Sequence, residues 1–362
     1  MSIGLYIHIP FCVKKCNYCD FNSFDNLNEL KLPYTNALIK EINDSKYTEN
    51  IVDSVFIGGG TPTSLEISML IDIINAVKNK FNLQNAEFTV EVNPATLDKK
   101  GFALLKQAGV NRISFGLQSA NDDELSVLGR IHTYSDFVHS YNLAMECGFD
   151  NINVDLMFSL PNQTLKKWAN TLKTVVDLSP QHISCYSLII EENTPFYSMD
   201  FDLPTEEVDR EIYDYTVKYL AENGYNHYEI SNFAKHNKEC KHNIKYWRRS
   251  EYIGFGAAAH SLYNNVRLEN TANVLEYINS NKITKTNLTK EDIISEYIFL
   301  GLRMTNGIDL KEFYSLFGFD FAKRYASIIS KYTKLNLMKI DDRCFLTIGG
   351  LNVSNKIMAE FL

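Results

Sequence analysis

YIHIPFCVKKCNYCDF, Tyr6–Phe21, carries Cys12, Cys16 and Cys19 as a Cys-x3-Cys-x2-Cys run directly after a strand-like segment. Three thiolates on one loop can each hold one iron of a 4Fe–4S cubane and leave the fourth iron without a protein ligand. The open iron can chelate the amino and carboxylate groups of S-adenosylmethionine, whose C–S bond one electron from the cluster then cleaves. Two other readings are a zinc site, which prefers a fourth Cys or His at regular spacing, and three inert buried thiols. His8 is close in sequence but sits on an alternating strand before Pro10, so a ligand role for it needs a chain reversal. Tyr18 and Phe21 can shield such a cluster and Lys14 and Lys15 offset its charge, and the same four residues read equally well as local packing and loop solvation.

Working outward, apolar β-rich runs alternate with amphipathic stretches. Strands are expected at Leu5–Ile9, Ser54–Ile57, Glu87–Val92, Arg112–Phe115, Asn153–Phe158 and His182–Leu188. Helices are expected at Pro33–Asn43, Glu66–Phe81, Asp98–Ala108, Ser135–Cys147, Leu165–Leu178 and Glu206–Asn223. Six right-handed strand–helix units predict an α/β fold, a partial (β/α)6 barrel over residues 1–225 with its cleft at the C-terminal strand ends. Residues 226–288 read as a connecting segment rich in aromatics. Residues 289–362 read as helix, helix, helix and two short strands, a winged-helix-like module.

Composition narrows the function. The 362 residues carry a net charge of −8, and Phe319–Lys334 offers only Lys323, Arg324, Lys331 and Lys334, so no nucleic acid is expected as partner. No apolar run approaches the ~18 residues of a spanning helix. The first residues lack an export signal, and seven cysteines, three of them within eight positions, look like ligands in a reducing compartment. A cytoplasmic protein is expected. Cys147, Cys185 and Cys344 read as small buried hydrophobes.

Further along come groups suited to a bound nucleoside. GGGTPT, Gly58–Thr63, ends the second strand with glycines that admit a ligand close to the backbone. Glu91 ends the third strand, Gln118 follows the fourth, Asp155 lies in the fifth and Arg130 follows a short helix. Carboxylates and amides suit ribose hydroxyls, an amino group and an adenine edge. HNIKYW, His242–Trp247, can also be read physically. Imidazole is a common axial ligand of haem iron, and Tyr and Trp offer flat apolar surface. Cys240 is a second candidate iron ligand, and Arg248 and Arg249 could pair with propionates, while His, Tyr and Trp in an aromatic-rich loop read also as ordinary packing.

These residues together resemble the radical S-adenosylmethionine superfamily, and within it the oxygen-independent coproporphyrinogen oxidase-like family, over essentially the whole chain. The resemblance implies that Tyr6, Gly59, Gly60, Thr61, Glu91, Gln118, Arg130 and Asp155 contact the nucleotide or a second ligand beside it, with His260 of GFGAAAHS also lining the site. The oxidase branch has a further cysteine two residues after the third cluster ligand. Here the stretch is Cys19-Asp20-Phe21. That stretch and HNIKYW instead resemble the haem-chaperone branch. The branch implies a 4Fe–4S cluster, S-adenosylmethionine and haem as cofactors, and haem-accepting respiratory proteins and an electron donor as partners. It also implies only transient membrane contact, and leaves oligomer formation open. The alternatives are oxidative decarboxylation of coproporphyrinogen III and, more remotely, a winged-helix regulator.

Overall fold

The computed structural model describes residues 2–362. Six strands in sequence order form its centre: β1 (Ser2–Ile9), β2 (Ile51–Gly59), β3 (Asn82–Val92), β4 (Arg112–Gln118), β5 (Ile152–Phe158) and β6 (His182–Ser187). Each pairs parallel with the next. The helices between them are α1 (Lys31–Asn43), α2 (Ile67–Lys80), α3 (Lys99–Ala108), α4 (Asp122–Val127), α5 (Tyr134–Glu146) and α6 (Leu165–Asp177), and α7 (Glu206–Glu222) follows β6. All six expected strands and all six expected helices are present, longer or shorter by a few residues.

Each strand buries one set of alternate residues beneath the helices. Ile3, Leu5, Ile7 and Ile9 of β1 and Val154, Leu156 and Phe158 of β5 belong to the main apolar core. Opposing them, α6 presents Trp168, Leu172 and Val175 at helical spacing, with Trp168 fully buried and donating to Thr216 Oγ1 at 2.7 Å. Helix starts are fixed locally, as where Thr133 and Asp136 exchange bonds in a capping box on α5. The other strand face is polar. Glu91, Ser114, Asn153, Asp155 and Ser184 line the lumen, where a one-residue shift of register would instead place isoleucines and valines.

The segment read as connecting supplies both ends of the sheet. β7 (Asn226–Glu229) and β8 (Asn232–Ala234) extend it beyond β6. After α8 (Lys241–Trp247), β9 (Tyr252–Phe255) pairs parallel with β1, and β10 (His260–Tyr263), β11 (Val266–Asn270) and β12 (Ile283–Asn287) continue antiparallel, with α9 (Val274–Ser280) before the last. The result is one open twelve-stranded sheet. These strands are three to five residues long, too short for alternation to announce them. Gly256 follows β9 at φ +100°, where a Cβ would meet the Tyr34 hydroxyl and the His8 carbonyl.

The C-terminal module comprises α10 (Lys290–Gly301), β13 (Ile308–Asp309), α11 (Leu310–Phe317), α12 (Phe321–Arg324), α13 (Ala326–Lys334), β14 (Met338–Ile340), β15 (Arg343–Leu346), α14 (Ile348–Leu351) and α15 (Ser354–Ala359). The expected succession of three helices and two strands is present, with the third helix broken into α12 and α13. β13 adds a third strand to a small sheet ordered β13-β15-β14, and α14 and α15 follow where no helix was expected. No helix among the described residues is long and apolar enough to cross a membrane.

Candidate functional site

The loop after β1 is folded back on itself, Cys12 and Phe24 being joined by a backbone bond of 2.9 Å. Its three cysteines line one cavity of about 310 Å³ together with Gly59, Gly60, Thr61, Glu91, Gln118, Arg130 and Asp155. Residues spread over more than 140 positions of sequence thus meet at the C-terminal ends of β1 to β5. Lys14, Tyr18 and Phe21, also singled out from the sequence, share this space.

The surroundings suit thiolates. Thr61 Oγ1 donates to Cys12 Sγ at 3.7 Å, Ser23 Oγ lies 3.8 Å from Cys19 Sγ, and Arg130 Nη1 donates to Cys16 Sγ at 3.4 Å. Burial pushes the Cys12 thiol up against the pull of the Thr61 hydroxyl, and pushes Cys19 up likewise. A metal must therefore displace protons to bind. Among the described residues no three Cys, His, Asp or Glu side chains converge on a point that would hold a single ion. Three thiols around one cavity are a donor set that fits a cubane, which takes one thiolate per iron.

The glycines are needed by the protein itself. A Cβ on Gly60 would stand 2.7 Å from the Phe11 carbonyl, and one on Gly59, at φ +107°, would collide with the His8 ring. The N–H groups of Gly59, Gly60 and Thr61 donate to Glu91, Ile9 and Phe11, so they are spent inside the fold rather than turned to a ligand. Gln118 sits on a register shift of β4 at φ +75°, a strained position that turns its side chain toward the cavity rim. Arg130 also donates to Asn93 Oδ1 at 2.7 Å and to the Gly116 carbonyl. Asn93 in turn donates to Thr61 Oγ1 at 2.8 Å, so it ties the guanidinium to the glycine loop. Sequence reasoning missed Asn93, although it stands two residues after Glu91 and hence on the same face.

Below lies the lumen proper, a cavity of about 180 Å³ lined by Tyr6, Glu91, Arg112, Asp155 and His242 among others. Burial, and then the charge of Asp155, raise the Glu91 carboxyl from 4.5 to about 8. Burial also raises Asp155, against hydrogen bonds from Ser184, Asn153 and Ser114. Arg112 is 1 % exposed and faces Glu87, Cys240 and Asp155. Only the curvature of the sheet reveals it as the cation of the lumen.

Helix α8 plugs the lumen floor and divides the HNIKYW motif. His242 is 1 % exposed, its Nδ1 bonded to Ser54 Oγ at 3.0 Å and its Nε2 to Tyr246 Oη at 2.8 Å. Burial, then the Lys245 charge, lower it to about 3. Cys240 Sγ is fully buried 3.6 Å from Glu87 Oε1. Neither presents a free donor to a cavity. Trp247 turns away and stacks on Arg303, 4.4 Å from its ring. Tyr246 and Trp247 thus form no common flat platform, because successive helix residues point about 100° apart. Arg249 is only 9% exposed, buried against Glu296 at 2.8 Å, and so is not open to propionates. Cys147 is only half-buried, its thiol donating to the Lys99 carbonyl, unlike buried Cys185 and Cys344.

A third cavity, about 460 Å³, opens at the lumen mouth and borders the cluster cavity at Phe21, Gly59 and Glu91. Tyr6 and His260 line it. Tyr6 Oη bonds to His8 Nδ1 at 2.9 Å.

Comparison with known proteins agrees with this geometry. Residues 6–175 match the model of the radical SAM superfamily, and residues 288–347 that of the HemN C-terminal domain. The chain is 39% identical to the haem chaperone HemW of Bacillus subtilis (strain 168), covering 99% of this chain and 98% of that protein. It is 40% identical to the haem chaperone HemW of Escherichia coli (strain K12) over 71% of this chain and 69% of the relative. Its fold follows that of coproporphyrinogen III oxidase (HemN) from Escherichia coli, with a TM-score of 0.88, 24% identity, and coverage of 99% and 90% of the two chains.

Proposed function

Because the chain belongs to the haem chaperone HemW family, within the radical S-adenosylmethionine superfamily, we propose that it binds haem and passes it to acceptor proteins of respiration. Cys12, Cys16 and Cys19 hold a 4Fe–4S cluster in this reading, and the cavity beside them holds S-adenosylmethionine. The observation that carries it is full-length relatedness to HemW proteins, joined to a cysteine cavity that borders a second one large enough for part of another ligand.

When bound, the cluster and S-adenosylmethionine supply one-electron chemistry. The chain's own residues then have separable tasks. Arg130 places positive charge against Cys16 and is itself fixed by Asn93 and Gly116. Glu91, neutral at pH 7, can donate as well as accept a hydrogen bond, while Asp155 is held as an acceptor by Ser114 and Asn153. The mouth cavity keeps a large ligand within reach of these groups but outside the narrow lumen. An electron donor and the haem acceptors dock from outside, and membrane contact is transient.

The test reconstitutes the protein anaerobically and runs two assays side by side. One is haem titration by absorbance, and the other is conversion of coproporphyrinogen III with S-adenosylmethionine and reductant. Stoichiometric haem uptake without protoporphyrinogen formation is expected. Turnover without haem uptake would overturn the proposal in favour of the oxidase.

A further inference from the structure

We infer that the haem site is the mouth cavity and that His260, rather than His242 or Cys240, is the residue that ligates its iron. This deepens the haem-binding function proposed above and rests on it.

Three observations converge. The first is availability of a donor atom. Of the imidazoles lining this cavity, His8 has Nδ1 on Tyr6 and Nε2 on the Asn22 carbonyl at 2.8 Å. His260 has neither nitrogen in a hydrogen bond, its ion-pair partner Glu269 lying 4.0 Å away, and its side chain is 48% exposed. His242 would have to break bonds at both nitrogens and leave a buried position to reach iron.

The second is shape and polarity. Tyr252 packs edge-on against Tyr246 with ring centroids 4.6 Å apart, and this pair forms an aromatic wall of the cavity. Phe21, from the cysteine loop, is 64% exposed at its edge, an apolar group that water leaves uncovered until a flat ligand covers it. Arg267 stands on the same rim, its guanidinium anchored at one end by Glu296 at 2.6 Å. An aromatic wall, an open imidazole and a cation at the rim are the complements of a porphyrin face, its iron and its propionates.

The third is the way His260 is presented. Ala258 has φ +59°, a left-handed conformation uncommon for a residue with a Cβ. It is held there by bonds from Ala258 N to Thr271 O at 3.0 Å and from Ala259 N to Gly256 O at 3.1 Å. The Gly254 position leaves room for the His260 carbonyl, which a Cβ would strike. A strained turn so fixed aims the first side chain of β10 into the cavity, and strain of this kind gathers at binding sites.

The experiment is a haem titration of the full-length protein, read in the Soret region, on the wild type, His260→Ala, His260→Gln and His242→Ala. Thermal midpoints of the variants check that each is folded. Wild type is expected to take up haem with the spectrum of an imidazole-bound iron. His260→Ala and His260→Gln are expected to bind about tenfold or more weakly and to lose that spectrum, with free imidazole restoring it in His260→Ala. A wild-type spectrum and affinity in both His260 variants overturns this inference and leaves haem binding standing, as does loss confined to His242→Ala. No haem uptake by the wild type overturns the haem-chaperone function itself, and this inference with it.

Discussion

Replacing Glu91 by Gln is expected to make the ligand-free protein more stable above neutral pH and to change little in acid. In the folded chain the Glu91 carboxyl lies over the lumen between Asp155 and the Gly59 amide, and its pKa rises from 4.5 to about 8. In the unfolded chain it ionises near its ordinary value. Between those two values the folded state holds the proton more tightly, so stability is full below about pH 4.5 and falls as pH rises through 8. At about 1.36 kcal/mol per pH unit the full rise is worth roughly 5 kcal/mol. Glu91 opens onto a cavity that water can enter, and that screening trims the expectation to about 2–3 kcal/mol. With an unfolding entropy near 2.1 cal/mol/K per residue, each kcal/mol moves the midpoint of a chain this size by about 1.3 °C. Glu91→Gln should therefore melt about 3–4 °C above wild type at pH 9, and the two should coincide near pH 4.5. The Gln carbonyl can still accept from Gly59, so the bond that places the side chain survives. The assay is thermal unfolding followed by circular dichroism at intervals from pH 5 to 9. Parallel curves for the two proteins across that range would refute the idea that a buried, protonated Glu91 sets the pH response.

Other perturbations probe separate links. Cys16→Ser is expected to abolish the brown absorbance and the bound iron of the reconstituted protein, and four irons per chain retained would contradict the ligand assignment. Gly59→Ala forces a Cβ into the His8 ring at φ +107° and should cost roughly 1–3 kcal/mol, read as a lowered midpoint, an unchanged midpoint being the contrary result. Trp168→Phe removes the donor to Thr216 in a fully buried contact and should cost about 1–3 kcal/mol, with urea unfolding as the measure.

The six strand–helix units were legible because both faces of each strand have a fixed job. Isoleucines and valines go under the helices, polar groups go to the lumen, and the helices repeat their apolar residues at i, i+3 and i+4. The cysteine loop was legible because its spacing is local. What escaped depended on how the sheet curves round its lumen. Nothing in the neighbourhood of Arg112 along the chain predicts Glu87, Asp155 and Cys240 around it. The strands of residues 226–288 escaped because each is too short to show a period. HNIKYW escaped for a geometric reason: read as a string it offers one flat surface, but α8 sends His242 and Tyr246 into the floor and Trp247 toward Arg303.

The charges of the lumen explain why a polar interior of this kind can fold at all. Going from floor to mouth, Arg112 lies against Asp155 and Glu87, Glu91 sits beyond Asp155, and Arg130 stands by Cys16 at the cluster end. An isolated buried charge costs several kcal/mol, and a pair helps only when both ions keep hydrogen bonds. Asp155 meets that condition through Ser114 and Asn153, and Glu87 through His242 N and Cys240 Sγ. Glu91 does not, having one amide donor and Asp155 as a repulsive neighbour. Keeping its proton is the response that costs least, because a neutral carboxyl removes one of two like charges facing each other. A cationic ligand group in the cavity would reverse that balance and favour release of the proton. Binding of S-adenosylmethionine, whose sulfonium is positive, should then weaken as pH falls below about 8, and do so less in Glu91→Gln. Calorimetric titrations at two pH values in buffers of different ionisation enthalpy measure the proton released. Equal proton release by wild type and Glu91→Gln would place it elsewhere in the site.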